Sequence, residues 1–221
     1  MERGDNLKAV IFDMDGVIVD SEPVHRELEI GLLEELGGRI TPEEYEGFIG
    51  TTDHYMWSTF KRQFDIDLSV EEMVDIKKKR FIENIHRLRL VDHFRELLLM
   101  LYESDYQLGL ASSNNNKAIN TIVERFDLSR YFHFLISGED VAKGKPDPEI
   151  FLKASKEMDI PPIHCLVIED ASNGAKAAKA AGMKCIGFQN PNSGNQDLSE
   201  ADLIVDSLAD ITLAMMKNLF K

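Results

Sequence analysis

From Asp92 onward the chain alternates four times between a stretch with helical spacing and a short apolar run. Helical patterns over 93–103, 117–126, 148–158 and 173–181 precede strand-like runs over 107–111, 134–137, 165–168 and 184–188. An earlier apolar run, 9–12, reads as one more buried strand. Strands that alternate with helices predict an α/β fold, a parallel sheet with helices on both faces. The stretch from 20 to 88 breaks this rhythm. Helical patterns over 22–36, 53–64 and 69–88 carry no strong strand between them, and Thr41-Pro42-Glu43-Glu44 looks like a capped helix start. The expected organisation is therefore a core of 1–19 and 89–221, interrupted after its first strand by an all-helical insert of 20–88. The polar, turn-rich run 190–196 reads as a surface loop.

Composition narrows the function. A length of 221 residues suits one large domain, or a core with a modest insert, and 43% hydrophobic content can fill a core. The formal net charge of −14 argues against nucleic acid or an anionic membrane as partner, since both demand a basic surface. The same charge means that any bound phosphate needs a local source of cations. The two cysteines, Cys165 and Cys185, lie in apolar stretches without metal-ligand spacing and are expected to be buried thiols. With no signal-peptide pattern and no membrane-length apolar run, a cytoplasmic protein is expected, and a monomer.

Polar residues cluster where the strands end. Asp13-Met14-Asp15-Gly16 follows the first strand, putting two carboxylates where ligands of open α/β sheets bind. One could attack phosphorus while the other handles protons. Ser112, Ser113 and Asn114 follow the strand 107–111 and suit an anion, or simply cap a helix. In Lys143-Gly144-Lys145-Pro146-Asp147-Pro148 a lysine could neutralise a phosphate; Lys145 is favoured because proline fixes the backbone beside it. Glu169 and Asp170 end the strand 165–168. Adjacent carboxylates at a buried strand end repel each other unless a cation joins them, and hard oxygen donors suit Mg²⁺. Singly, each group has an ordinary reading as a turn or a helix cap. Together, in one parallel sheet, they are hard to ascribe to coincidence.

This order of motifs resembles the haloacid dehalogenase superfamily of aspartyl-phosphate enzymes, over roughly 8–205. Asp13 to Gly16 is similar to its first motif, Ser112 to its second, Lys145 to its third and Glu169-Asp170 to its fourth. The stretches 13–22 and 144–148 resemble the β-phosphoglucomutase-like branch, which also contains many sugar-phosphate phosphatases. The resemblance implies a Rossmann-like core with a small helical cap. It implies Asp13 as nucleophile and Asp15 as the acid and base, with Ser112 and Lys145 holding phosphate oxygens. Mg²⁺ would be held by the Asp13 carboxylate, the Asp15 backbone carbonyl and Asp170, with Glu169 direct or through water. Gly50-Thr51-Thr52-Asp53-His54 resembles the cap loop over the site, which makes Thr51 and Thr52 substrate contacts alongside Ser113 and Asn114. His25 falls where the family often has a histidine near the cap hinge. Trp57, spaced with Phe60 and Phe64, reads as cap core, and Lys77-Lys78-Lys79-Arg80 as a solvated face.

Three functions follow from this reading. The first is a Mg²⁺-dependent phosphatase of a small phosphorylated metabolite, a sugar phosphate by preference. The second is a β-phosphoglucomutase, an isomerase. The third is a non-catalytic phosphate-binding module, which the full set of motif residues disfavours. The mutase cap loop carries an arginine for the second phosphate where this chain has Asp53, and an acid there would repel that phosphate. Dehalogenases and phosphonatases lack an acid like Asp15. If Asp13 is the nucleophile, Asp13→Asn abolishes phosphate release while circular dichroism and melting stay those of the parent; near-normal release by the folded variant would remove Asp13 from that role.

Overall fold

The computed structural model describes residues 6–221. The first strand, β1 (Ala9–Phe12), is fully buried and alternates strictly. Val10 and Phe12 join the core on one face of the sheet, and Ala9 and Ile11 the core on the other. A tight turn leads to β2 (Val19–Asp20) and then to four helices: α1 (Glu22–Glu35), α2 (Pro42–Glu46), α3 (Asp53–Phe64) and α4 (Val70–Asn84). β3 (Arg89–Leu90) returns antiparallel to β2, so both ends of the helical stretch pass through one two-stranded ribbon. The alternating part follows as α5 (Phe94–Glu103), β4 (Gln107–Ser112), α6 (Asn116–Arg125), β5 (Phe134–Ser137), α7 (Glu149–Glu157), β6 (Cys165–Glu169), α8 (Ser172–Ala180), β7 (Lys184–Phe188), β8 (Leu203–Val205) and α9 (Leu213–Asn218).

β1 and β4–β8 form a parallel six-stranded sheet in the order β5-β4-β1-β6-β7-β8. Coverage of both faces explains why the strands read as apolar runs rather than as an alternation. Residues of α5, α6 and α9 pack with Phe12, Leu108, Leu110 and Ile168 on one face; those of α7 and α8 pack with Ile11, Ala111 and Val167 on the other. The chain steps outward from β1 to β4 and β5, then returns to β6 on the other flank of β1. Strand order reverses beside β1, and such a reversal opens a crevice at the strands' carboxyl ends. Asp13 and Glu169-Asp170 flank it.

Helices α1–α4 enclose a core of their own around Leu33, Trp57, Phe60 and Met73. Trp57 and Phe60 meet edge to face at 5.6 Å, the apolar role expected of Trp57. Thr41 with Glu44 caps α2 as the sequence suggests, and Ser69 with Glu72 caps α4 in the same way; both are reciprocal capping boxes. Four expectations need correction, and three short strands went unforeseen. The helix expected over 69–88 stops at Asn84 and gives way to one 3₁₀ turn. β2, β3 and β8 are two or three residues long, too short for a periodic signal. The loop 190–196 is not wholly superficial, since Asn190 and Ser193 are buried. Lys77 is buried too, so the Lys77–Arg80 run is not wholly a solvated face. Lys145 does not sit at a strand end but reaches back from the loop between β5 and α7. Cys165 and Cys185 are free and buried, and burial pushes the Cys165 thiol up to about 12, where it stays protonated and unreactive.

Phe94, fully buried at the start of α5, packs edge to face against Phe12 at 5.4 Å. Phe94→Ala is expected to cost about 3–5 kcal/mol of stability, read from the shift of the urea midpoint; a loss below about 1 kcal/mol would mean that the core under β1 can collapse around the gap.

Candidate active site

Asp13 is the first residue past β1, held by its N–H on the Ile168 carbonyl at 3.0 Å. Gly16 closes the following turn at φ +78°, and its N–H bonds the Val19 carbonyl at 2.8 Å. A Cβ at Gly16 would collide with the Asp170 carboxylate, so only glycine lets the turn pass that close. The turn brings Asp13 and Asp15 to one cavity of about 390 Å³ between the sheet and α1–α4.

On the sheet side, one ammonium group organises three acids. Lys145 Nζ donates to Asp13 Oδ1, to Glu169 Oε1 at 2.8 Å and to the Ala111 carbonyl at 3.3 Å. Glu169 Oε2 accepts from the Ala171 N–H at 2.7 Å, and Asp170 Oδ2 accepts from the Ser193 hydroxyl. Oxygens of Asp13, Glu169 and Asp170 lie within 4.8 Å of one another, all three residues buried. Burial pushes Asp13 up to about 8 against the pull of Lys145, with Glu169 and Asp15 adding to the rise. Burial, then Glu169 and Asp13, likewise raises Asp170 well above the carboxylate range. Lys145 is held above the usual ammonium range: burial opposes its charge, but Asp13 and Glu169 outweigh it. If all three carboxylates ionise, the single ammonium leaves two negative charges uncompensated. A hard divalent cation matches that charge and the all-oxygen donor set, so the residues fit Mg²⁺.

Asp15 faces away from this cluster. Its Oδ1 accepts from the Ser21 hydroxyl at 2.7 Å and lies 3.6 Å from His25 Nε2; its Oδ2 accepts from Asn114 Nδ2 at 2.6 Å. The Ser112 hydroxyl, fully buried, accepts from the Asn114 N–H at 3.1 Å and stands 3.5 Å from the same Oδ2. Ser21 begins α1 without capping it, because its hydroxyl is turned to Asp15. Burial alone would raise Asp15, but the hydrogen bond and charge of His25, then Ser21 and Asn114, hold it below the usual range. Of the candidates, Asp13, Asp15, Lys145, Glu169, Asp170, Asn114, His25 and Ser113 thus converge on one cavity. Thr51 and Thr52 border it, although Thr51 bonds the Phe48 carbonyl and Thr52 caps α3.

Two groups escape sequence reasoning. Lys77, on α4, lies 3.0 Å from Asp53 Oδ1 and 3.1 Å from Glu29 Oε1, and the Tyr45 hydroxyl donates to Glu29 Oε2 at 2.5 Å. Asp53 is therefore a paired carboxylate: burial pushes it up, but Lys77 holds it below the usual range. Ser193 is the second. An Asn-Pro-Asn-Ser-Gly run gives no hint of a partner 23 residues back.

The profile of the haloacid dehalogenase-like hydrolases matches residues 10–188. A phosphorylated carbohydrates phosphatase of Thermotoga maritima is 32% identical over 183 residues, covering 81% of this chain and 84% of that protein. The β-phosphoglucomutase of Bacillus subtilis is 31% identical over 228 aligned positions, covering 95% and 94%. The crystal structure of CbbY from Rhodobacter sphaeroides in complex with phosphate superposes with a TM-score of 0.84 at 26% identity, over 94% of this chain and 98% of that one. Identity is nearly equal for phosphatase and mutase, so similarity alone does not choose between them.

Removing Lys77 would leave Glu29, buried, and Asp53, half-buried, without their cation. Lys77→Ala is expected to cost about 3–5 kcal/mol in urea unfolding, and Asp53→Asn, which keeps the Lys77–Glu29 pair, clearly less. Equal losses would show that Asp53 alone holds the lysine.

Proposed function

Because the chain belongs to the haloacid dehalogenase-like hydrolases, we propose that it is a Mg²⁺-dependent phosphatase of a phosphorylated sugar or polyol, working through an aspartyl phosphate on Asp13. The observation that carries this reading is Lys145 fixed between Asp13 and Glu169 beside Asp170, with Asp15 across the same cavity. In this reading 20–88 is a cap on a core of 1–19 and 89–221.

Lys145 pulls Asp13 towards its ionised form against burial, a cation held beside it would complete that shift, and Asp13 attacks phosphorus through its carboxylate. Mg²⁺ would be held by Asp13, Asp170 and the Asp15 backbone carbonyl, and when bound would neutralise charge on the phosphate oxygens. Both Glu169 oxygens are already engaged, by Lys145 and by the Ala171 N–H, which suits a ligand acting through water. Lys145 and Ser112 help to hold the transferring group. Asp15 is ionised as it stands, the form that later deprotonates water. The incoming phosphate is itself anionic and favours proton uptake by a nearby carboxyl, which prepares Asp15 to protonate the leaving oxygen. His25 and Ser21 orient it. Closing the cap over the cavity excludes bulk water before transfer.

The cap side favours hydrolysis over isomerisation. It carries Glu22, Glu29 and Asp53 against Lys77 and Lys78, and Lys77 is already shared between two carboxylates. A mutase must grip a second phosphate at this end. A monophosphate whose remainder is uncharged and rich in hydroxyls suits this lining better.

Two outcomes test the reading. With Mg²⁺, β-glucose 1-phosphate and a trace of the 1,6-bisphosphate, free phosphate is expected to exceed glucose 6-phosphate; rapid isomerisation with little phosphate would make the chain a mutase. Asp15→Ala is expected to lose roughly 10²–10⁴-fold in kcat on alkyl phosphates and far less on aryl phosphates, whose leaving groups need little proton help. Equal losses would take Asp15 out of proton transfer.

A further inference from the structure

Asn190, Asn192, Ser193 and Gln196 touch three parts of the molecule: the site around Asp170 and Gly16, the β2–β3 ribbon, and the loop between α2 and α3. Ser193, buried, donates its hydroxyl to Asp170 Oδ2, which leaves the other carboxylate oxygen for a cation. Asn190 Nδ2 donates to the Gly16 carbonyl at 2.8 Å, and Asn190 Oδ1 accepts from the Asn192 N–H at 2.9 Å, pinning the loop to the turn after Asp13. Asn192 Nδ2 reaches both carboxylate oxygens of Asp20, in the ribbon at the base of the cap, at 3.0 Å.

Gln196 ties these contacts to the cap loop. Its Nε2 donates to the Ser193 carbonyl at 3.0 Å and to the Ile49 carbonyl at 3.3 Å, while its Oε1 accepts from the Ser172 N–H at 3.2 Å. One amide side chain thus joins the start of α8, its own loop and the cap. Asn173 Nδ2 adds a bond to the Gly50 carbonyl at 3.4 Å. A Cβ at Gly50 would crowd the Gln196 amide, so the two surfaces are in close contact. The two cap acceptors are backbone carbonyls, and opening the cap breaks both bonds.

We propose that this loop is a strut coupling closure of the cap to the metal carboxylate, with Gln196 as the clamp on Ile49 and Ser193 as the positioning residue for Asp170. The coupling rests on the reading of Asp170 as a Mg²⁺ ligand; the clamp does not. A cation on Asp170 fixes the acceptor of Ser193, steadies the loop and so presents Gln196 to the cap. By linkage, a closed cap tightens cation binding by the same factor. Groups that orient a metal ligand in this way typically account for about 10–100-fold in metal affinity.

Hydrogen exchange of the amides over 48–52, with and without Mg²⁺, tests both halves, and calorimetry measures Mg²⁺ binding independently of activity. Without metal, Gln196→Ala is expected to speed exchange of that segment at least about fivefold. Gln196→Glu keeps the acceptor for Ser172 and loses both donors, so it must behave alike. Unchanged exchange in both variants would overturn the clamp. Saturating Mg²⁺ is expected to slow the segment at least about fivefold in the parent and to leave it unaffected in Ser193→Ala, which binds Mg²⁺ about 10–100-fold more weakly; Ser193→Thr restores both effects. Slowing that persists in metal-saturated Ser193→Ala would overturn the coupling. A parent protein that binds no Mg²⁺ would remove the metal reading and the coupling together, while the metal-free Gln196 comparison would still decide the clamp.

Discussion

The ion cluster around Lys145 is the constraint on which the site depends. A buried ammonium and buried carboxylates are costly to take out of water, and only close, well-hydrogen-bonded geometry offsets the loss. The chain meets that requirement by anchoring each partner to a different element. Asp13 follows β1, Glu169 ends β6 and Lys145 arrives from the loop before α7. Register in the centre of the sheet, Phe12 opposite Ile168 and Leu110, sets the distance between the first two. The lysine does not balance the acids by itself: if all three ionise, two charges remain, which in the proposed reading a divalent cation would meet.

Asp15 belongs to a different environment two residues away. Its partners, Ser21, His25 and Asn114, come from both sides of the crevice, two of them from the start of the helical insert. The path from Asp13 to helices α1–α4 runs through Asp15 and the β2–β3 ribbon. In the proposed reading, Asp15, the proton carrier, is set where a movement of the cap would change its surroundings, while Asp13 is anchored beside the sheet. Two carboxylates so close in sequence are pushed in opposite directions: Asp13 upward by burial, Asp15 downward by its hydrogen-bond donors. Separation of this kind is how one site keeps a nucleophile and a proton carrier apart in role.

Much of this was legible in the sequence, and the limits have physical causes. β1, β4, β6 and β7 announce themselves as apolar runs because both faces of the sheet are covered, and Asp13, Glu169 and Asp170 are read from their place at strand ends. Lys145 could be singled out by its prolines, but not its reach from a loop across to Asp13. β2 and β3 hold two residues each and exist only by pairing with one another. Lys77 sits in a run of four cations whose pattern is that of a solvated face; its acids, Glu29 and Asp53, come from other helices and meet it only through packing. That pairing also changes the meaning of Asp53, which acts less as a free repelling charge than as half of the group that occupies Lys77. Ser193 and Gln196 were hidden for a related reason. Turn-rich sequence is superficial on average, and nothing local records that this segment folds down onto Asp170.

The central claim is covalent chemistry at Asp13. Rapid quenching during turnover of a sugar phosphate, followed by borohydride reduction and peptide mass spectrometry, reads it directly, because an acyl phosphate is reduced to the alcohol while a free carboxylate is not. The account predicts homoserine at position 13, dependent on substrate and Mg²⁺. Phosphate release with no reduction at position 13 under conditions that trap the intermediate, or reduction at Asp15, Glu169 or Asp170 instead, would contradict it.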